Sequence, residues 1–127
     1  MNGRLQKINL IQPDVVVSIH NNSLPEGFDP YRRRGTATFY YHLQSYPLAK
    51  MVQNNLVRDL KLPSQGVRFA DLAICRLSGM PTILVEAAFM VLPKQEYLLG
   101  TEKFQNKIAT SLFRSLKQFF KKNQVVD

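Results

Sequence analysis

Two short, largely apolar runs most constrain how this chain can fold. Residues 15–19 are rich in β-branched side chains and follow Pro13, and residues 82–85 follow a turn at Gly79. Runs of this length bounded by turn residues are typical of strands that are buried on both faces of a sheet. Because both faces of such a sheet must be covered, the two runs predict an α/β fold.

Two amphipathic segments predict the helices that cover the sheet. Within residues 46–60, and again within 104–120, apolar side chains recur at steps of three and four. This spacing is the period of a helix with one buried face. Thr101 is a candidate N-cap for the second of these helices. A short helix is predicted at residues 95–99, with Pro93 at or near its start.

The rest of the chain completes a three-layer sandwich. Further strands are predicted at residues 36–41 and 72–76, and a surface loop at residues 23–35, which hold two prolines, two glycines and an arginine triplet. We therefore expect a mostly parallel sheet flanked by helices. In such sheets ligands bind at the carboxyl ends of the strands.

Composition limits the classes of function that this chain can have, but it does not identify one. A chain of 127 residues with 45% hydrophobic content has the size of one domain. The net charge of +8 favours polyanionic partners, but the basic residues lack the interleaved aromatics that stack nucleic-acid bases. Cys75, the single cysteine, lies in an apolar run and is interpreted as a buried free thiol. No apolar stretch is long enough for a membrane span. We expect neither nucleic-acid binding nor a span.

Two polar residues follow the most apolar strands and are candidates for chemistry. His20 ends the first strand, and the amides of Asn21 and Asn22 would lie beside its ring, so it could be a metal ligand or a histidine satisfied by a carbonyl. Glu86 directly follows the run 83–85, where desolvation would raise its pKa towards that of a general base. The alternative for Glu86 is a salt bridge to an arginine, Arg68 or Arg76.

The other candidates are weaker. His42 ends the next strand. If the two strands pair antiparallel, their ends lie on opposite edges of the sheet, and if they pair parallel, the loop between them is too short for an obvious crossover helix. We therefore interpret His42 as structural. The acidic residues show no metal-type spacing with either histidine, and no known metal, phosphate or nucleophile motif is present.

Several segments resemble the zinc-dependent N-acetylmuramoyl-L-alanine amidases. Residues 14–22, Asp-Val-Val-Val-Ser-Ile-His-Asn-Asn, are similar to the family strand that ends in Ser-Ile-His-Ala-Asn. Residues 80–89, Met-Pro-Thr-Ile-Leu-Val-Glu-Ala-Ala-Phe, are similar to its Met-Pro-Ala-Val-Leu-Val-Glu strand. Further similarity lies at 35–41, 48–50, 66–68 and 72–76. The resemblance implies that His20 binds Zn²⁺ and that Glu86 is the catalytic carboxylate.

The resemblance also implies that part of the family domain is absent. Family members begin with a strand and a Gly-His-Gly-Gly loop that supply the first zinc histidine, and a glutamate ligand follows. Residues 2–13 resemble the end of the helix before the His20 strand. We therefore expect residues 1–127 to be the C-terminal part of one amidase catalytic domain, without its N-terminal strand and helix and with two of three zinc ligands missing.

These implications define the expected function. The intact domain would cleave the amide between N-acetylmuramic acid and L-alanine in peptidoglycan, using zinc-activated water and Glu86 as the base. The loop around Arg32 to Arg34 is a possible contact for the glycan-peptide strand. This chain alone is expected to be inactive, and the alternative is a non-catalytic cell-wall-binding module. The family works in the cell envelope, in the periplasm or outside the cell. An exposed sheet edge is expected to make the chain poorly stable and prone to self-association.

Overall fold

The computed structural model describes residues 2–22, 34–89 and 92–123. Residues 23–33 of the predicted surface loop, with Arg32 and Arg33, lie outside the described residues. The helices are α1 (Asn2–Ile11), α2 (Tyr46–Leu60), α3 (Pro93–Leu99) and α4 (Glu102–Lys122). The strands are β1 (Val16–Asn22), β2 (Thr36–Tyr40), β3 (Ser64–Phe69) and β4 (Thr82–Phe89).

The four strands form one mixed sheet in the order β1-β4-β2-β3. Strand β1 runs parallel to β4, and β2 runs parallel to β3. The two parallel pairs are joined by antiparallel pairing of β2 with β4. The expected α/β fold with a mostly parallel sheet is confirmed.

Both faces of the sheet are covered, as the apolar runs predicted. On one face, helices α2 and α4 bury Leu48, Val52 and Leu112 against Ile83 and Val85 of β4. On the other face, α1 and a 3-10 turn (Ile74–Arg76) pack on a smaller cluster around Leu84. The helices that cover the two faces make the outer layers of the three-layer sandwich.

Gln53 fixes α2 to the sheet through a buried hydrogen-bond network. Its side-chain oxygen accepts from the hydroxyl of Thr38 at 2.9 Å, and its amide donates to the carbonyl of Thr36 at 2.8 Å. The same amide donates to the hydroxyl of Ser64 at 3.1 Å. One side chain thus links a helix to two strands, β2 and β3.

The predicted starts of the last two helices are confirmed. Pro93 is the first residue of α3, where its missing N–H costs no hydrogen bond. The hydroxyl of Thr101 accepts from the N–H of Phe104 at 3.3 Å and caps α4. Among the described helices, none is both long and apolar enough to cross a membrane.

The third predicted strand is wrong. Residues 74–76 form a 3-10 turn that buries Ile74 and Cys75, and the third strand is instead Ser64–Phe69. A short apolar run has the same composition in a buried turn as in a strand, so its composition does not distinguish the two. Residues 63–66 contain Pro, Ser and Gly, which mark a chain break in most contexts. Here Gly66 lies within a strand at a φ of 81°.

Candidate active site at the ends of two parallel strands

His20 and Glu86 lie inside strands, and this corrects the prediction that each follows directly after a strand. Strand β1 continues to Asn22, and β4 continues to Phe89. Their neighbouring strands supply backbone partners for these polar positions, so the strands do not stop where the apolar runs end. Both residues still lie in the carboxyl-terminal halves of their strands.

The sheet register brings the two candidate residues together. His20 and Glu86 are paired positions on the parallel strands β1 and β4. Paired positions project to the same face of a sheet, and neighbouring strands lie about 4.8 Å apart. The imidazole and the carboxylate are therefore neighbours on one face, at one end of two parallel strands.

Ser18 contacts the ring of His20. Its hydroxyl oxygen lies 2.8 Å from Nε2 of the imidazole. Because side chains alternate along a strand, Ser18 and His20 project to the same face. The side chain of Asn21, the first of the two asparagines expected to orient the ring, is exposed. The sequence signal that places Ser18 beside His20 is their spacing of two residues within the predicted strand.

A cavity of about 270 Å³ adjoins His20 on this face. Helix α1 contributes Arg4 and Lys7 to its wall, and β1 contributes Ser18 together with His20. The cavity places two cations near the candidate ligand, in an otherwise largely apolar lining.

Glu86 has the environment expected of a base. Burial raises the pKa of its carboxyl group, and the positive charge of Arg68 opposes this rise without cancelling it. A raised pKa brings a carboxylate closer to the range in which it can accept and return a proton near neutral pH. The prediction of a raised pKa for Glu86 is confirmed in direction.

The two salt bridges considered for Glu86 are not formed. Arg76 pairs instead with Asp71, with 3.2 Å between Nε and Oδ1. Arg68 acts on Glu86 through its charge, but the ion pairs found among the described residues do not include either of them.

The remaining candidates have structural roles. His42 lies at the opposite end of the sheet from His20, because β2 is antiparallel to β4, and its Nε2 lies 2.9 Å from the carbonyl oxygen of Arg76. Cys75 is a buried free thiol, and burial raises its pKa to about 11. The interpretation of Cys75 as a buried free thiol is confirmed, and His42 lies away from His20.

The described residues do not by themselves complete a zinc site. Catalytic zinc normally takes three protein ligands. Within the described ranges, no group of three His, Cys, Asp or Glu side chains is close enough to hold a metal. The imidazole of His20, with Ser18 at Nε2, is suitable for one ligand position only.

The sequence is similar to known proteins over most of its length. The profile of the N-acetylmuramoyl-L-alanine amidase family matches residues 1–118. The germination-specific N-acetylmuramoyl-L-alanine amidase of Bacillus subtilis is 28% identical over 120 residues, which are 92% of this chain and 49% of that protein. AmiC of Neisseria meningitidis is 37% identical over 75 residues, 59% of this chain and 18% of that protein.

Solved structures agree with the sequence comparison. An N-acetylmuramoyl-L-alanine amidase from Clostridium difficile superposes with a TM-score of 0.87 at 28% identity, covering 97% of this chain and 66% of that one. The amidase AmiC2 of Nostoc punctiforme superposes with a TM-score of 0.85 at 28% identity, covering 95% and 66%. The chain spans about half the length of the curated relatives that match 92% of it. By sequence and by fold, this chain belongs to the N-acetylmuramoyl-L-alanine amidase family.

Proposed function

We propose that this chain carries part of the active site of a peptidoglycan hydrolase, which cleaves the amide between N-acetylmuramic acid and L-alanine. The observation that carries the proposal is the pairing of His20 with Glu86 on adjacent parallel strands. An imidazole and a partly desolvated carboxylate on one face of a sheet are suited to metal-assisted hydrolysis of an amide. Family membership supports the choice of substrate.

In this proposal Glu86 is the general base. Its carboxylate takes a proton from the attacking water and passes it to the nitrogen of the departing alanine. The raised pKa of Glu86 favours the first of these transfers, because a carboxylate with a higher pKa is a stronger base towards the attacking water. The positive charge of Arg68 opposes the effect of burial on this pKa.

His20 is proposed as one ligand of a catalytic Zn²⁺, and Ser18 as the residue that orients its ring. A partner at one ring nitrogen fixes the tautomer and directs the other nitrogen towards the metal. The described residues supply only this one ligand, so the other two have to come from outside them. Bound zinc would polarise the scissile carbonyl and lower the pKa of water. We therefore propose that the chain alone does not cleave peptidoglycan.

The second candidate function is a non-catalytic module that binds the cell wall. The net charge of +8 suits binding to an anionic wall polymer, and the described residues supply fewer ligands than a catalytic metal needs. Such a module would sediment with purified peptidoglycan and would need no metal. In either case we propose that the protein acts in the cell envelope or outside the cell, where the substrate of the family lies.

The test is cleavage of purified peptidoglycan with identification of the new amino terminus. We expect new N-terminal L-alanine from a version extended with the family segment that carries the first zinc histidine and the glutamate ligand. We expect none from the present chain. Substituting His42→Gln is the matched control and leaves cleavage intact, whereas His20→Gln abolishes it. If the extended version sediments with peptidoglycan and releases no L-alanine terminus, the binding module is the better account.

A further inference from the structure

A second charged residue lies on the same face of the sheet as Glu86. The register aligns Glu86 of β4 with Ala37 of β2, and Ala37 with Gly66 of β3. Arg68 is two residues beyond Gly66, so it projects to the same face. Its charge reaches the carboxyl group of Glu86.

The row of the sheet that starts at Glu86 carries small residues, whereas Arg68 is paired with Phe39 in the next row. In the row that starts at Glu86, β2 contributes only the methyl group of Ala37, and β3 contributes only the hydrogen of Gly66. Where a side chain at Gly66 would begin, no atom lies within 4 Å. The backbone at Gly66, two residues before Arg68, is therefore uncovered at this point.

The guanidinium of Arg68 is available to a ligand. The residue is exposed, and the ion pairs found in the described part of the chain involve Arg58, Arg76 and Arg114 instead. A guanidinium binds a carboxylate through two parallel hydrogen bonds, which fix the orientation of the ligand as well as its position.

The distance between Glu86 and Arg68 suits the stem peptide that the cleavage releases. Glu86 and Arg68 are two strand separations apart across the sheet, about 10 Å, and are offset by two residues along it. The residue after L-alanine in a stem peptide is a D-glutamate linked through its γ-carboxyl group, which leaves its α-carboxylate free. Consecutive Cα atoms in an ordinary peptide are about 3.8 Å apart. With the alanine nitrogen beside Glu86, the free carboxylate therefore falls on the side of Arg68 when the peptide runs across the sheet.

We propose that Arg68 binds the free α-carboxylate of the second stem-peptide residue and thereby positions the scissile amide against Glu86. This inference rests on the proposed function, because it takes the stem peptide as the ligand. It makes Arg68 a specificity-determining residue, which favours D-glutamate over its amidated form, D-isoglutamine. The amide lacks the charge that the guanidinium recognises.

The experiment measures binding of two dipeptides to the present chain by ligand-observed NMR titration. The ligands are L-alanyl-D-glutamate and L-alanyl-D-isoglutamine, each with its γ-carboxyl group blocked as an amide, so that they differ only in the free α-carboxylate. We expect the acid to bind roughly tenfold more tightly than the amide, the usual size of a charge-assisted hydrogen bond at such a site. Arg68→Gln equalises the two affinities, and Arg68→Lys retains part of the preference.

The matched control is Arg58→Gln, which removes the same charge from helix α2 and leaves the preference unchanged. The proposal is overturned if Arg68→Gln keeps the preference, if the unsubstituted chain has none, or if neither dipeptide binds. These outcomes are independent of the cleavage test, since an amidase that ignores this carboxylate still releases L-alanine termini. Failure of cleavage, in contrast, removes the proposed function itself.

Discussion

At the scale of single residues, burial decides the chemistry of Cys75. The thiol is buried and its pKa is raised to about 11. At pH 8 this leaves roughly 100-fold less thiolate than a cysteine with an ordinary pKa of about 9. We predict that a thiol reagent labels the native chain at least about 100-fold more slowly than the chain in denaturant. Equal rates in the two states would contradict the burial of this side chain.

Asp59 links α2 to α4 and should make the stability depend on pH. Burial raises its pKa, but the hydrogen bond from Arg58 and the charge of Arg114 outweigh this effect, so the pKa lies below its ordinary value. Oδ2 accepts from Arg114 at 2.6 Å. Because the folded pKa is lowered, the stabilisation is present above the unfolded pKa of about 4 and is lost as pH falls through the folded value.

We therefore predict that Asp59→Asn lowers the free energy of unfolding at pH 7 by about 0.5 to 1 kcal/mol, the range of partly exposed ion pairs. The difference should disappear when denaturant unfolding is repeated at a pH below the lowered pKa. Asp71→Asn is the control, because both partners in its pair with Arg76 are more than half exposed and the loss should be near zero. A deficit for Asp59→Asn that persists in acid would show that its cause is not ionisation.

At the scale of secondary-structure elements, Gln53 carries the attachment of α2 to the sheet. Gln53→Ala leaves the buried hydroxyl of Thr38 and the carbonyl of Thr36 without this partner. We predict a loss of about 2 to 3 kcal/mol in the free energy of unfolding, the cost of unsatisfied buried polar groups. Gln105→Ala removes an exposed hydrogen bond to Leu99 and should cost less than about 0.5 kcal/mol. Similar losses for the two variants in urea unfolding would contradict this role.

The elements also show what the sequence could predict. Short runs of strand-forming residues identified three of the four strands, helical periodicity identified α2 and α4, and Pro93 marked the start of α3. All of these signals depend on neighbouring residues. The strand Ser64–Phe69 was missed, because Gly66 in its interior has the local signature of a turn. Only pairing with β2 makes that segment a strand.

The candidate site, like the fold, could be predicted only in part from the sequence. His20 and Glu86 were identified from the apolar runs that precede them and from family motifs. Their adjacency depends on the register of β1 against β4, which no local pattern encodes. From the sequence, Arg68 was considered only as a salt-bridge partner of Glu86. Its place on the same face of the sheet depends on the order β4-β2-β3 and on its pairing with Phe39.

At the scale of the whole molecule, the open edge of β1 should determine whether the chain self-associates in solution. Within the described residues, β1 is an edge strand of the sheet. Ile19 on this strand is 57% exposed, and Phe113 on α4 is 68% exposed. An unpaired edge with apolar side chains favours pairing with another copy. We predict concentration-dependent self-association and a broad thermal transition.

Sedimentation velocity over a range of concentrations checks this prediction. Ile19→Lys places a charge at the edge and should shift the chain towards monomer. The control is Leu43→Lys, which alters a similarly exposed side chain in the turn before α2, away from this edge. A clean monomer at every concentration, with a sharp cooperative thermal transition, would show that the edge neither causes self-association nor destabilises the chain.

The proposed function depends on a division of roles between His20 as metal ligand and Glu86 as base. The most direct measurement is zinc per chain, by elemental analysis, together with peptidoglycan cleavage for the version extended with the upstream family segment. We predict one zinc and cleavage for the unsubstituted protein. Glu86→Ala should keep the zinc and lose cleavage, and His20→Ala should lose both. An extended protein that holds no zinc and releases no L-alanine termini would contradict the enzyme assignment.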